Sequence, residues 1–263
     1  MIRAIGWGVA AVVSAVILTV AGCAAAGGAS SMTSSSSPPP SVAGTRPPPT
    51  TTTITDPVPP TTTTTTPPPP MPSAARPAIT QDRIRYGAKR RAEMAGYAYR
   101  HYGVRSFRLH PKLIVLHFTD SGRGSYPGVH ALFNANAPNG GELPGVCAHY
   151  VVDQDGTIYQ QVPLDIMCRH AIGVNDHAIG IEMIQQQGIS SHWADQQILH
   201  RRPQIRSVLA LVRWLQGRFH IAQRNVIGHS MANDSPFFHD REGWRNDHTD
   251  WQAQDVRELR RRL

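Results

Sequence analysis

The sequence predicts an α/β domain built on a single mixed central β-sheet flanked by helices, carried behind a long segment that cannot form a core. Three observations point there: five apolar runs of strand length spread over residues 112–229, a one-faced helix between the last two of them, and a change of composition near residue 80.

The chain begins with an apolar run, residues 4–22, behind Arg3, ending Val20-Ala21-Gly22-Cys23. Small residues before a cysteine resemble a bacterial lipobox, which makes residues 1–23 a lipoprotein signal peptide and Cys23 the lipid-anchored first residue of the mature chain. A simple signal peptide or a membrane helix has the same apolar length. The lipobox reading puts the protein on the outer face of the cytoplasmic membrane, facing the cell wall. Residues 24–79 follow as a spacer of Ser, Thr, Pro and Gly, with tracts such as Pro47-Pro48-Pro49 and Thr61 through Thr66. Such composition buries too little apolar surface to fold and favours an extended, polyproline-like linker.

Residues 80–263 are then one domain, long enough to be stable without a partner, and a monomer is expected. Of the net charge of +8, +6 falls on residues 81–263. A basic exported domain suits anionic wall polymers or lipid headgroups, and export argues against nucleic acid. With Cys23 set aside, Cys147 and Cys168 form an even pair in oxidising surroundings, which permits a disulfide and equally permits two free thiols.

Thr80 and Asp82 are candidate caps of a helix carrying Ile84, Ala88, Ala92, Met94 and Tyr97, closed by Gly103. Lys112 to His117 reads as a strand buried on both faces. His149 to Asp153 and Thr157 to Val162 flank the turn Asp155-Gly156. Ala178 to Ile184 and Asn225 to His229 complete the strands. Between them Pro203 suits a first helical turn, and Ile205, Val208, Leu209, Val212, Leu215 and Phe219 share one face.

All 13 histidines lie between His101 and His248. His117 and His229 each end an apolar strand, where a rigid scaffold can present an imidazole to a metal ion. Glu182 sits in an otherwise apolar strand, where partial desolvation raises a carboxyl toward the range useful for general-base work; a solvent-facing edge glutamate is the alternative.

The blocks Ile114-Val115-Leu116-His117, Ala148-His149-Tyr150-Val151-Val152-Asp153, Asp155-Gly156-Thr157-Ile158-Tyr159-Gln160, His170-Ala171, Ile179-Gly180-Ile181-Glu182 and Gly228-His229-Ser230 occur in one order. In that order they resemble the zinc-dependent N-acetylmuramoyl-L-alanine amidases, the family of phage-type amidases and peptidoglycan recognition proteins. The resemblance implies a zinc ion held by His117, His229 and a third ligand near the C-terminus. Asp250, within His248-Thr249-Asp250, suits that ligand if residues 233–246 are an inserted loop; His239, Asp240 and Asp247 are rivals, and a helix N-cap is the alternative role of Asp250. By the same resemblance Glu182 is the catalytic base, His248 stands where many members carry lysine, and His170 is a substrate-side histidine. Asn175 lies at a loop position suited to the peptide stem. Ala148 stands where phage-type members carry tyrosine. The implied reaction is hydrolysis of the amide between the lactyl group and L-alanine in peptidoglycan or its muropeptide fragments. The alternative is a recognition lipoprotein that binds these without cutting them.

Overall fold

The structure is a computed structural model that describes residues 74–120 and 125–263. The signal-peptide reading of residues 1–23, with Cys23, and most of the 24–79 spacer lie outside the described residues.

The first described element is a two-residue strand, β1 (Thr80–Gln81), and the helix expected from Thr80 onward begins later, as α1 (Ala88–Tyr102). Thr80 and Asp82 do not cap it. Thr80 pairs with Tyr159, and the Asp82 carboxylate accepts from the Tyr126 hydroxyl at 2.6 Å. Gly103 closes α1 as expected, with φ 77° and its N–H donating to Ala98 and Tyr99 carbonyls.

The sheet continues with β2 (Leu113–Phe118), β3 (Tyr150–Val152), β4 (Ile158–Gln160), β5 (Ala178–Met183) and β6 (Val226–Gly228), in the order β1-β4-β3-β5-β2-β6. Among the described strands only β3 and β4, joined across the Asp155-Gly156 turn, run antiparallel, so the sheet is mixed. Four further helices are α2 (Tyr126–Ala135), α3 (Ser191–His200), α4 (Arg202–Phe219) and α5 (Ala253–Arg261).

Every residue of β2 and β5 is buried, so the apolar runs are packed on both faces of the sheet. Ile114, Leu116, Ile179 and Ile181 join a core with Ile198 of α3, Val208, Leu211, Val212 and Leu215 of α4, and Val256 and Leu259 of α5. Leu113, Val115 and Ala178 pack on a separate cluster with Val174, Ile227 and Ala232. Side chains alternate faces along a strand. His117 therefore shares a face with Leu113 and Val115, Glu182 shares one with Ala178, and both reach the end of that face at which the parallel strands finish. Cys147 and Cys168 are joined in a disulfide across a 5.6 Å Cα separation, which settles the choice left open by the sequence.

Candidate metal centre and active-site cleft

β2 and β5 pair in register so that His117 lies opposite Glu182, and β6 delivers His229 as the first residue beyond its C-terminus. Asp250 arrives from the far end of the chain. The Trp251 carbonyl is packed so closely over Gly228 that any Cβ there would overlap it, so only glycine admits this approach. Ser230 N–H donates to the Asp250 carbonyl at 3.0 Å and Ser230 Oγ to the Trp251 carbonyl at 2.9 Å, fixing Asp250 beside His229. Trp251 is buried at φ 55°, a left-handed conformation unusual for a bulky residue, and its indole N–H donates to the His117 carbonyl. Strain of this kind persists where the surroundings over-determine it. Here Asp195 accepts from the backbone N–H groups of Trp251 and Gln252.

The result is a buried triangle of donor atoms. His117 Nδ1 and His229 Nδ1 stand 3.0 Å apart, His229 Nδ1 and one Asp250 oxygen 3.1 Å, and His117 Nδ1 and the other oxygen 3.4 Å. Donors bound to zinc at about 2.0–2.1 Å in a tetrahedron are separated by about 3.3–3.4 Å, so the three groups fit one face of a tetrahedral site. The tautomers agree. His170 Nε2 lies 3.3 Å from the Ala178 carbonyl and acts as donor there, which leaves its Nδ1 to accept from His117 Nε2 at 3.0 Å. That arrangement leaves the lone pair of His117 Nδ1 facing the triangle.

Burial, reinforced by the neighbouring His229, lowers His117 to about 4, so the ring is neutral at physiological pH. Burial alone would raise the Asp250 carboxyl, but hydrogen bonds and charge from His117 and His229 prevail and hold it well below the usual carboxylate range. A neutral His117 imidazole and an ionised Asp250 carboxylate are protonation states that metal binding requires. Glu182 behaves oppositely: burial first, and the charge of Asp250 second, push it well above the usual range. The residue is 9% exposed, its carboxyl has no hydrogen-bond partner among the described residues, and it lines a cleft of about 890 Å³ together with His117, His229 and Asp250. An edge glutamate bathed in water is excluded.

The rival ligands are elsewhere. Asp240 is committed to His101, at 2.8 Å; His239 is exposed with its backbone N–H on Gly173; Asp247 is exposed on the cleft wall. His248 stacks on the His229 ring at 4.3 Å with its side chain 62% exposed, and desolvation lowers its pKa. Desolvation and the neighbouring His229 therefore work against a protonated imidazole at this position.

The two expected substrate contacts differ in placement. Asn175 is fully buried and does not line the cleft: its Oδ1 accepts from the N–H groups of His170 and Ala171, and its Nδ2 donates to the Tyr102 hydroxyl. His170 lines the cleft floor but spends both ring nitrogens on His117 and Ala178, and Gly180 leaves it room, since a Cβ there would stand 2.8 Å from its Cγ. Ala148 is sealed in the core. Three supports of the site, Trp251, Asn246 and Asp195, carry no pattern in the sequence that singles them out. Asn246 donates to the His229 carbonyl at 2.9 Å and exchanges hydrogen bonds with Asn233, closing the loop of residues 233–246 on itself.

Residues 107–250 match the family described as N-acetylmuramoyl-L-alanine amidase. Among curated proteins none matches the chain. Among solved structures the chain is similar to the endolysin N-acetylmuramoyl-L-alanine amidase LysCS from Clostridium intestinale URNW, at 18% identity over 70% of this chain and 96% of that one, TM-score 0.43. It is similar to Staphylococcus aureus hydrolase AmiA at 15% identity over 71% of this chain and 82% of that one, TM-score 0.47. A third likeness is AmiD from E. coli, at 22% identity over 49% of this chain and 53% of that one, TM-score 0.36. The family match covers more than half of the sequence, and the chain belongs to the N-acetylmuramoyl-L-alanine amidase family.

Proposed function

We propose that the protein hydrolyses the amide bond between the N-acetylmuramoyl lactyl group and L-alanine of peptidoglycan or its fragments, as a zinc enzyme anchored through Cys23 at the outer face of the cytoplasmic membrane. The observation that carries the reading is the buried triangle of His117, His229 and Asp250 with the unpartnered Glu182 beside it. When bound there, zinc supplies Lewis-acid polarisation of the scissile carbonyl and acidifies a water molecule. Glu182, its proton affinity raised by burial, takes the proton of the attacking water and returns it to the leaving nitrogen of L-alanine. The neutral His248 ring, open to the cleft, offers a ring N–H to the carbonyl oxygen as negative charge develops on it. His170 keeps His117 in the tautomer that binds metal.

The test is to incubate the full chain with muropeptides and follow released peptides by mass spectrometry, with and without a chelator and with Glu182→Gln. Peptides with a new L-alanine amino terminus are expected, lost on chelation, restored by zinc, and reduced about 10²–10⁴-fold in rate by the substitution. A folded, zinc-loaded chain that binds muropeptides and leaves them intact would instead make it a recognition lipoprotein.

A further inference from the structure

A second cleft, of about 780 Å³, opens at the other end of the sheet, beside the starts of β2 and β3 and the C-terminus of α4. Its walls include Arg76, Arg83 and Arg218 with Trp214 and Phe219, while His117 and Glu182 stand near the opposite strand ends. None of the three arginines has a carboxylate partner within ion-pair distance among the described residues, and the one lining carboxylate, Asp165, is engaged by Arg108. Arg76 and Arg218 both lie over the Trp214 indole, at 5.6 and 5.7 Å from its centroid.

Like charges gathered in one cleft repel one another; the single lining carboxylate, Asp165, acts on Arg83 while paired with Arg108, and a bound anion would relieve the remaining repulsion. A second observation comes from beneath them. The Tyr150 hydroxyl is fully buried and has no hydrogen-bond partner among the described residues. Burial pushes it up to about 12, and the charges that act against that rise are those of Arg76, Arg83 and Arg218. All three arginines are exposed, and their charges act together on this one buried hydroxyl.

We propose that this cleft is a binding site for a phosphate-bearing oligoanion, separate from the hydrolytic centre. Guanidinium forks match phosphate oxygens bidentately, and three of them suit more than one phosphate group. The concave shape and apolar walls favour a chain or compact ligand entering the cleft over the flat face of a bilayer. In a wall-facing protein such a site holds the domain on a phosphorylated polymer while its other end works.

The experiment is calorimetric titration of the full chain with sodium tripolyphosphate. Its arms are Arg76→Gln/Arg83→Gln/Arg218→Gln, and a charge-matched control, Arg202→Gln/Arg206→Gln/Arg261→Gln, at exposed positions outside the cleft. The proposal expects saturable binding that weakens about tenfold or more in the cleft variant and less than about twofold in the control, with muropeptide hydrolysis unchanged in both. Absence of binding by the wild-type chain overturns the proposal, as does an equal loss in the two variants, which marks diffuse charge attraction. A parallel arm compares phosphatidylglycerol with phosphatidylcholine vesicles. Preference for the anionic vesicle that the cleft variant loses, without tripolyphosphate binding, assigns the arginines to a lipid surface and overturns the cleft site.

Discussion

His170 illustrates how much of the candidate metal centre rests on a residue that is not itself one of its three donors. Its Nδ1 accepts from His117 Nε2, and this single bond decides which nitrogen of His117 faces Asp250 and His229. His170→Phe keeps a ring in the space opened by Gly180 but removes the acceptor, leaving a buried N–H unpaired and the wrong tautomer competitive. Zinc affinity is expected to fall about 10–100-fold, read by competition with a chromophoric chelator, with the fold retained by circular dichroism. An unchanged affinity would mean that His117 is oriented by its strand alone. In the sequence His117 and His229 stand out because each ends an apolar strand, and Glu182 because it sits inside one. Asp250 is legible there only through resemblance, since a carboxylate after threonine and before a helix reads equally well as a cap. Asn175 misleads because a loop asparagine looks available until Tyr102 and the backbone of His170 and Ala171 are seen to consume its amide.

Elements declare themselves in proportion to how much apolar surface they bury. β2 and β5, buried on both faces, and α4, with its single apolar face, stand out in the sequence, whereas β1 exists only because Thr80 and Gln81 find β4, a partner 79 residues away. α3 carries mixed composition, and its place is set by polar contacts with α5. Asp195 and Asp255 meet there, both buried, and burial together with the Asp255 carboxyl pushes Asp195 up to about 8 despite its backbone hydrogen bonds. Between the unfolded value of about 3.9 and about 8 the folded chain holds the extra proton, so stability falls as pH rises through that window, by up to about 1.4 kcal/mol per unit. For a chain of this size that is a decline in Tm of about 3–6 °C per unit at most. Asp255→Asn removes the opposing charge and supplies a donor, so melting curves between pH 5 and 8 should show a flatter decline than the wild type; parallel slopes would refute the shared proton. The disulfide is a second tie between elements, fastening the loop before β3 to the segment that carries His170, with a sequence separation of 21. Replacing both Cys147 and Cys168 with serine should cost about 2–4 kcal/mol in denaturant unfolding. A loss near zero would mean that the clusters around Val151 and Ile166 already hold these loops together.

For the whole chain the question is how a site fixed on a rigid sheet meets an extended polymer. In the proposed arrangement the anchor at Cys23 would set location, and the spacer of residues 24–79 would set reach. Chemistry at Glu182 is indifferent to spacer length, because a soluble fragment diffuses to the cleft, whereas an anchored domain reaches only wall within the span of its tether. Deleting residues 30–70 should therefore leave hydrolysis of soluble muropeptides within about twofold of the full chain, since nothing in the cleft changes, while reducing digestion of intact wall by the membrane-bound protein several-fold, as expected for effective concentration set by linker span. The Cys23→Ser chain, recovered in the soluble fraction, should digest isolated wall equally well with the long or the shortened spacer. If the anchored short-spacer chain works on wall as fast as the long one, reach is not what the spacer supplies.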